Sequence, residues 1–167
     1  MTSMALHEQS VGASDEWYTP LHVFAALGCE FDLDVASPGP DVVPWIPARR
    51  WYDKNSLGQP WSGFVWMNPP FGGRNGLVPW LEKFFAHENG LALVPDRTSA
   101  PWWQRYAPKA DAVLFVAPKI QFIDASGRPG AAPAQGTCLL AIGDRGVGAL
   151  RRAQYNGLGF LMVPAER

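Results

Sequence analysis

The dipeptide Pro69-Pro70 is the strongest local constraint on how this chain can fold. Proline fixes φ and has no N–H to donate, so a β-strand that reaches two successive prolines must end there. Apolar residues at 65–67 lead directly into Asn68 and the prolines, which is the pattern of a buried strand. The sequence therefore predicts a rigid corner at the carboxyl edge of a sheet, with Asn68 on it.

The corner at Asn68 carries groups that can hold a planar amine. The side-chain oxygen of Asn68 and a backbone carbonyl of the corner can accept both hydrogens of an amino group, and the ring of Phe71 can stack on the attached heterocycle. The Asn-Pro-Pro-aromatic sequence resembles the signature of amino-methyltransferases, which move a methyl group from S-adenosylmethionine to a planar nitrogen. An ordinary proline-rich turn is the alternative, and the residues flanking the prolines favour the catalytic interpretation.

Composition limits the chain to one domain without a strong overall charge. Its 167 residues are 47% hydrophobic, which is enough to bury one core. The formal net charge is -1, so any contact with DNA must come from a local patch. Cys29 and Cys138 are far apart in the sequence and belong to no Cys/His cluster, so we predict neither a metal site nor a disulfide.

The ends of the chain predict no membrane or export signal. Residues 1–14 are small and polar, and we expect a disordered tail followed by a single domain over 15–167. The N-terminus lacks the features of a signal peptide, and no segment has the apolar length of a membrane span. We therefore expect a cytoplasmic protein without a membrane partner. No insertion remains that could form a separate target-recognition domain.

Helical and strand patterns alternate along the chain. Thr19 is the predicted N-cap of the first helix, with Pro20 at its first position and Gly28 at its end. The region 41–63 shows no periodicity and is predicted to be irregular. Further strands are predicted at 31–36, 91–94, 112–116 and 137–142, with helices from 78 to about 89, over 102–106 and over 145–155. This order predicts an α/β fold with a mainly parallel sheet, helices on both faces and an antiparallel edge.

Acidic and aromatic residues in the first part of the chain could bind a ligand. Asp32 and Asp34 alternate with apolar residues before a Gly/Pro turn, and open α/β sheets bind ligands at such strand ends. The alternative is that both carboxylates are simply solvated. Trp17 and Tyr18 could form a wall for a flat adenine, or equally a hydrophobic staple on the first helix.

Taken together, these features resemble the phage-type DNA N6-adenine methyltransferase (Dam) family, from about residue 15 to residue 142. The matching boxes are Trp17-Tyr18-Thr19-Pro20, Phe31-Asp32-Leu33-Asp34-Val35-Ala36, Asn55-Ser56-Leu57, Trp61-Ser62-Gly63, the segment 65–71, Trp80 with Lys83, Leu93-Val94-Pro95 with Arg97-Thr98, Trp102-Trp103, and Gly127 with Pro133. The departures are Phe71 where tyrosine is commoner, Asn55 where an acidic residue is frequent, Lys119-Ile120 in place of Gly-Arg and an apolar residue, and the absence of the Gly-x-Gly loop of many methyltransferases.

The resemblance implies a Rossmann-like, S-adenosylmethionine-dependent enzyme that methylates N6 of a flipped adenine in DNA without a metal. The predicted catalytic residues are Asn68, Pro69, Pro70 and Phe71. The predicted cofactor-binding residues are Trp17, Tyr18, Thr19, Pro20, Asp32, Asp34, Ala36, Asn55 and Asn68. The predicted nucleic-acid contacts are Arg74, Arg97, Lys119 and Trp102.

Other readings of the same residues remain open. The amine could belong to cytosine N4, an RNA adenine or a protein glutamine, since the same box serves all of them. The fold could also be a non-catalytic relic that binds DNA or a partner. We expect a monomer or homodimer, encoded by a phage or prophage and present in the bacterial host.

Overall fold

One sheet of seven strands organises the protein. The computed structural model describes residues 17–70, 76–131 and 135–165. The strands are β1 (Phe31–Asp34), β2 (Ala48–Trp51), β3 (Val65–Met67), β4 (Gly90–Pro95), β5 (Ala112–Val116), β6 (Thr137–Ile142) and β7 (Gly159–Met162). The helices are α1 (Leu21–Leu27), α2 (Val78–His87), α3 (Pro101–Tyr106) and α4 (Asp144–Tyr155), with 3-10 turns at Ser56–Gly58 and Ala107–Lys109.

The sheet has a parallel half and an antiparallel half. Its strand order is β2-β1-β3-β4-β6-β5-β7, and the strands from β2 to β4 pair in parallel. The strand β6 lies between β4 and β5 and is antiparallel to both, and β7 is antiparallel to β5. The predicted α/β class is confirmed, but the antiparallel part is larger than the predicted edge. The reason is that β6 enters the sheet between two earlier strands.

Helices cover both faces of the sheet, as the alternating pattern predicted. Alternate residues of β4 show the two layers, since Leu91 and Leu93 pack on the side of α1 and α4. Ala92 and Val94 pack on the side of α2 and α3. We call these the α1/α4 face and the α2/α3 face. Because every residue from 91 to 94 is fully buried, β4 lies at the centre of the molecule.

Two local predictions need correction. The region 41–63 contains β2 and a 3-10 turn, although it was predicted to be irregular; β2 is an edge strand whose residues 49–51 are exposed, so it has no apolar alternation. The first helix begins at Leu21 with Pro20 as its N-cap, one residue later than predicted. Thr19 does not cap the helix, because its hydroxyl accepts a hydrogen bond from Asn68 instead. Gly28 ends the helix in the left-handed conformation, as predicted.

Lys83 fixes the turn that follows β2. Its ammonium group donates hydrogen bonds to the carbonyls of Ser56 at 3.2 Å, of Leu57 at 2.9 Å and of Gln59. The indole N–H of Trp61 donates to the carbonyl and the hydroxyl of Ser56, both at 3.1 Å. The Leu57 and Gln59 carbonyls thereby gain partners, and the Ser56 carbonyl, which also accepts the Gln59 N–H at 3.2 Å, gains further donors. Residues of three sequence boxes, Ser56, Trp61 and Lys83, therefore stabilise the scaffold.

The predicted tail 1–14 lies outside the described residues. Within the part of the chain that the structure describes, no helix is long and apolar enough to cross a membrane. In the same ranges, no group of three or more His, Cys, Asp or Glu side chains could hold a metal ion.

Replacing Thr137 by valine should stabilise the protein. The Thr137 hydroxyl is buried and has no hydrogen-bond partner among the described residues, and valine keeps the shape without the polar atom. We expect the free energy of unfolding to rise by about 1 kcal/mol in urea titrations. The exposed Thr98 is the control, and Thr98→Val should change the free energy by less than about 0.5 kcal/mol. A less stable Thr137→Val protein would contradict this account.

Candidate active site

The carboxyl ends of the parallel strands gather polar residues at one edge of the sheet. The strand β1 ends in Asp34, and Asp34 lies opposite Trp66 in β3, two residues before Asn68. The next strand, β4, ends at Pro95 opposite Thr137. Open α/β sheets bind their ligands at this edge. The fold therefore brings Asp34 and Asn68, which are 34 positions apart in sequence, onto neighbouring strands.

Asn68 is half-buried, and one hydrogen bond fixes its carboxamide. Its side-chain nitrogen donates to the hydroxyl of Thr19 at 3.0 Å. Since the nitrogen faces Thr19, the carboxamide oxygen faces away from Thr19 and can accept a hydrogen from a ligand. Pro69 is buried and Pro70 is exposed, directly after the end of β3. The predicted Phe71 lies outside the described residues.

Asp34 is a buried acid with little to stabilise its charge. Its side chain accepts one hydrogen bond, from the backbone N–H of Ala36 at 3.1 Å. Burial raises the pKa of Asp34 from 3.8 to about 7, and the Ala36 N–H opposes this only in part. No cation among the described residues contributes to this pKa. A cationic or hydrogen-donating ligand at the sheet edge would supply the missing partner.

Asp32 has a different environment, although the sequence predicted one role for both carboxylates. Its carboxylate accepts the backbone N–H of Phe64 at 2.7 Å and forms an ion pair with Arg145 at 3.3 Å. The hydrogen bond from Phe64 is the main reason that the pKa of Asp32 is lowered. These contacts join β1 to the residues before β3 and to α4. Asp32 is thus already paired within the fold, whereas Asp34 is not.

The segment 17–20 lies beside the same edge. Tyr18 is buried, and its backbone pairs with that of Ile123 through hydrogen bonds of 2.7 and 3.0 Å. Trp17 is 52% exposed and rests against Gly130, where an added Cβ would lie 2.9 Å from the indole. Pro20 follows as the N-cap of α1. Trp17 therefore presents an open aromatic surface, while Tyr18 and Thr19 are part of the packing.

The end of β2 and the turn that follows it carry exposed aromatic and polar residues. Asn55, predicted to bind the cofactor, is exposed with φ of 55° and begins the 3-10 turn. Trp51 at the end of β2 is 43% exposed and packs on Gly39, in the loop after β1. Asp53 is exposed two residues further on. The sequence interleaves basic and aromatic residues through 41–63, Trp51 among them, a mixture that can contact phosphates and stack on bases or can pin a loop, and it did not single out Asp53.

The predicted nucleic-acid contacts have unequal exposure. Arg97 is exposed after β4, and its Nε donates to Gln135 at 2.8 Å. Lys119 is exposed after β5, which runs in the same direction as β4 because both are antiparallel to β6. Trp102 is half-buried and packs edge-on against Trp103, with ring centroids 6.1 Å apart. The predicted Arg74 lies outside the described residues.

The architecture and the polar sheet edge are compatible with a methyltransferase fold. A sequence model of the family described as DNA N-6-adenine-methyltransferase (Dam) matches residues 7–146. The match covers more than four fifths of the chain, so this protein belongs to the Dam family of DNA adenine N6-methyltransferases. No curated protein and no solved structure matches the chain.

The raised pKa of Asp34 should make stability fall as the pH rises from about 4 to about 7. In that range the unfolded chain has released the proton that the folded protein keeps. The unfolding free energy should fall by at most about 1.4 kcal/mol per pH unit. Urea titrations across this range should show that Asp34→Asn removes this slope. The unfolding free energy of the variant should therefore increase relative to that of the wild type as the pH rises.

Asp32→Asn is the matched control for that experiment. Because the pKa of Asp32 is lowered in the folded protein, its carboxylate stabilises the fold above its ordinary pKa, and that contribution is lost in acid. Asp32→Asn should therefore destabilise the protein at neutral pH. Equal pH profiles for the two variants would contradict the different environments described above.

Proposed function

We propose that this protein is an S-adenosylmethionine-dependent enzyme that methylates the exocyclic N6 amine of adenine in DNA. Membership of the Dam family supports the reaction class. The observation that carries the proposal is the placement, at the carboxyl edges of adjacent strands, of an oriented Asn68 and of a buried Asp34 that meets no cation among the described residues. The Rossmann-like fold, with no separate target-recognition domain, is part of this proposal.

Asp34 is the residue best suited to hold the cofactor. S-adenosylmethionine carries an ammonium group, ribose hydroxyls and a cationic sulfonium, and it supplies an electrophilic methyl group. A carboxyl group that is buried with no cation from the described part of the chain fits such a ligand, because the ligand provides a cation and hydrogen-bond donors. The open aromatic surface of Trp17 and the backbone of Ala36 complete the proposed site. Asp32 is left out, because Arg145 already pairs with it.

Asn68 would hold the target amine. Its carboxamide oxygen and the Pro69 carbonyl accept the two N6 hydrogens, which increases the electron density on a conjugated and poorly nucleophilic nitrogen. The adenine must leave the duplex to reach this corner. Phe71 is proposed to stack on the flipped base. No covalent enzyme intermediate is required, so alignment of the groups and electrostatics account for the rate.

The state of Asp34 argues against a non-catalytic relic. A buried carboxyl group without a cation lowers the stability of the fold at neutral pH. A relic that binds DNA or a partner through another surface gains nothing from such a group, and natural proteins tolerate such local conflicts at functional sites. Arg97 and Lys119 are the proposed phosphate contacts at the same edge.

Incubation with methyl-labelled S-adenosylmethionine and a panel of DNA duplexes and single strands tests the reaction. Mass analysis of the nucleosides should find N6-methyladenine, and the flanking sequences of the modified sites report the specificity. N4-methylcytosine as the only product would contradict the proposed base. A lack of any methylated nucleoside, with no bound cofactor, would favour the relic.

Asn68→Ala should abolish methyl transfer while leaving cofactor affinity nearly unchanged. The reason is that the substitution removes an acceptor of the target amine, whereas Asp34 is the main proposed contact of the cofactor. Asn156→Ala is the matched control, since Asn156 also donates a side-chain hydrogen bond, to the Ala26 carbonyl at 3.0 Å. That control should lower stability and keep the turnover number. Wild-type turnover in Asn68→Ala would disprove the mechanism.

Asp34→Asn should weaken S-adenosylmethionine binding about tenfold or more, the usual scale for a hydrogen bond to a charged group. In the wild type, a cationic ligand favours the ionised carboxyl, so binding near the pKa of about 7 should release a proton. Calorimetry in buffers of different ionisation enthalpy measures both quantities. Asp32→Asn should keep the affinity and the proton release. Unchanged affinity in Asp34→Asn would remove Asp34 from the site.

A further inference from the structure

The side-chain nitrogen of Asn68 needs a partner before its oxygen can serve a substrate. A carboxamide presents an acceptor on one side and two donors on the other, and a half-turn about its last bond exchanges them. A substrate amine that meets the oxygen forms a hydrogen bond, whereas one that meets the nitrogen faces another donor. In the structure the nitrogen donates to the Thr19 hydroxyl at 3.0 Å. A hydroxyl can accept or donate, so this contact holds the carboxamide in place, and the observed orientation is the one in which Thr19 accepts and the Asn68 oxygen is left for the substrate.

The backbone of Thr19 is fixed independently of Asn68. Its carbonyl accepts the indole N–H of Trp45 at 2.9 Å. The preceding residue, Tyr18, pairs with Ile123 through two backbone hydrogen bonds. Thr19 itself is only 1% exposed, so water cannot easily replace its hydroxyl as a partner. These contacts hold the hydroxyl at a defined position at the end of β3.

Packing of α1 on β3 keeps the two partners together. Phe24 of α1 contacts the buried ring of Trp66, with centroids 4.9 Å apart and the planes tilted by 66°. Asn68 follows Trp66 by two residues, directly after the end of β3. Thr19 lies just before α1. The interface between α1 and β3 that buries Trp66 therefore also places Thr19 next to Asn68.

We propose that Thr19 is a positioning residue, which holds the Asn68 carboxamide with its oxygen toward the substrate amine. This inference rests on the proposed function, and it assigns to Thr19 a role in orienting Asn68 in place of a direct contact with the cofactor. The hydrogen bond to Thr19 also polarises the amide, which makes its oxygen a better acceptor. Thr19 acts through Asn68 and does not touch the reacting atoms.

Thr19→Val and Thr19→Ser separate the hydroxyl from the shape of the side chain. Valine cannot accept the hydrogen bond, so kcat at saturating S-adenosylmethionine should fall about tenfold, the scale of one hydrogen bond. Thr19→Ser should restore most of kcat. The dissociation constant for S-adenosylmethionine should stay within about threefold of the wild type, because the substitution removes no hydrogen bond to the cofactor. Asn156→Ala is the control, because it removes a side-chain hydrogen bond away from the proposed site, to the Ala26 carbonyl at 3.0 Å, and should leave kcat unchanged.

Three results would overturn the proposal. One is wild-type kcat in a folded Thr19→Val protein, and another is an equal loss in Thr19→Ser. The third is weaker cofactor binding by Thr19→Val with normal kcat at saturation, which would make Thr19 a cofactor contact. Thermal unfolding of each variant verifies that the compared proteins are folded.

The side-chain amide protons of Asn68 give a readout that does not need activity. In protein labelled with 15N-asparagine, the resonance absent from Asn68→Ala identifies this group. Its protons should exchange with water more slowly in the wild type and Thr19→Ser than in Thr19→Val. Equal exchange in all three would overturn the proposal. A wild type that shows protected protons but transfers no methyl group would instead contradict the proposed function.

Discussion

The buried indole of Trp66 connects the parts of the structure on which the candidate active site depends. It packs against Phe24 of α1 and Phe31 of β1. Its carbonyl accepts the N–H of Val35 at 3.0 Å, which sets the register of β1 against β3. The same residue pairs with Leu91 at the centre of the sheet. The three elements that meet at Trp66 carry the residues of the candidate site. Asp34 ends β1, Thr19 lies just before α1, and Asn68 directly follows β3.

Two aspartates in one short strand show how environment decides the role of a side chain. Asp32 receives an N–H from Phe64 and an ion pair from Arg145, and these lower its pKa. Asp34, two residues later, is enclosed with a single backbone donor, and burial raises its pKa. The first stabilises the fold and the second destabilises it at neutral pH. Such a conflict between folding and chemistry is expected where a ligand completes the site.

The residues shared with the family divide into scaffold and site. Lys83, Trp61 and Ser56 hold the turn after β2 through hydrogen bonds to one another and to neighbouring carbonyls. Trp80 stacks on Trp61, with centroids 6.3 Å apart. These residues stabilise the turn after β2 through contacts with one another. The segment around Thr19 and the corner at Asn68 form part of the proposed site, and their hydrogen bond joins two boxes 49 positions apart in the sequence.

The sequence by itself determined the local elements and the corner. A Pro-Pro pair ends a strand wherever it occurs, and apolar periodicity marked β4, β5, β6 and every helix to within a few residues. It located Asn68 and Asp34 but could not distinguish Asp34 from Asp32. The insertion of β6, the edge strand β2 and the partnership of Thr19 with Asn68 were decided only by the tertiary structure. Backbone dihedrals and side-chain alternation are local properties, whereas strand neighbours, burial and hydrogen-bond partners depend on residues far away in the chain.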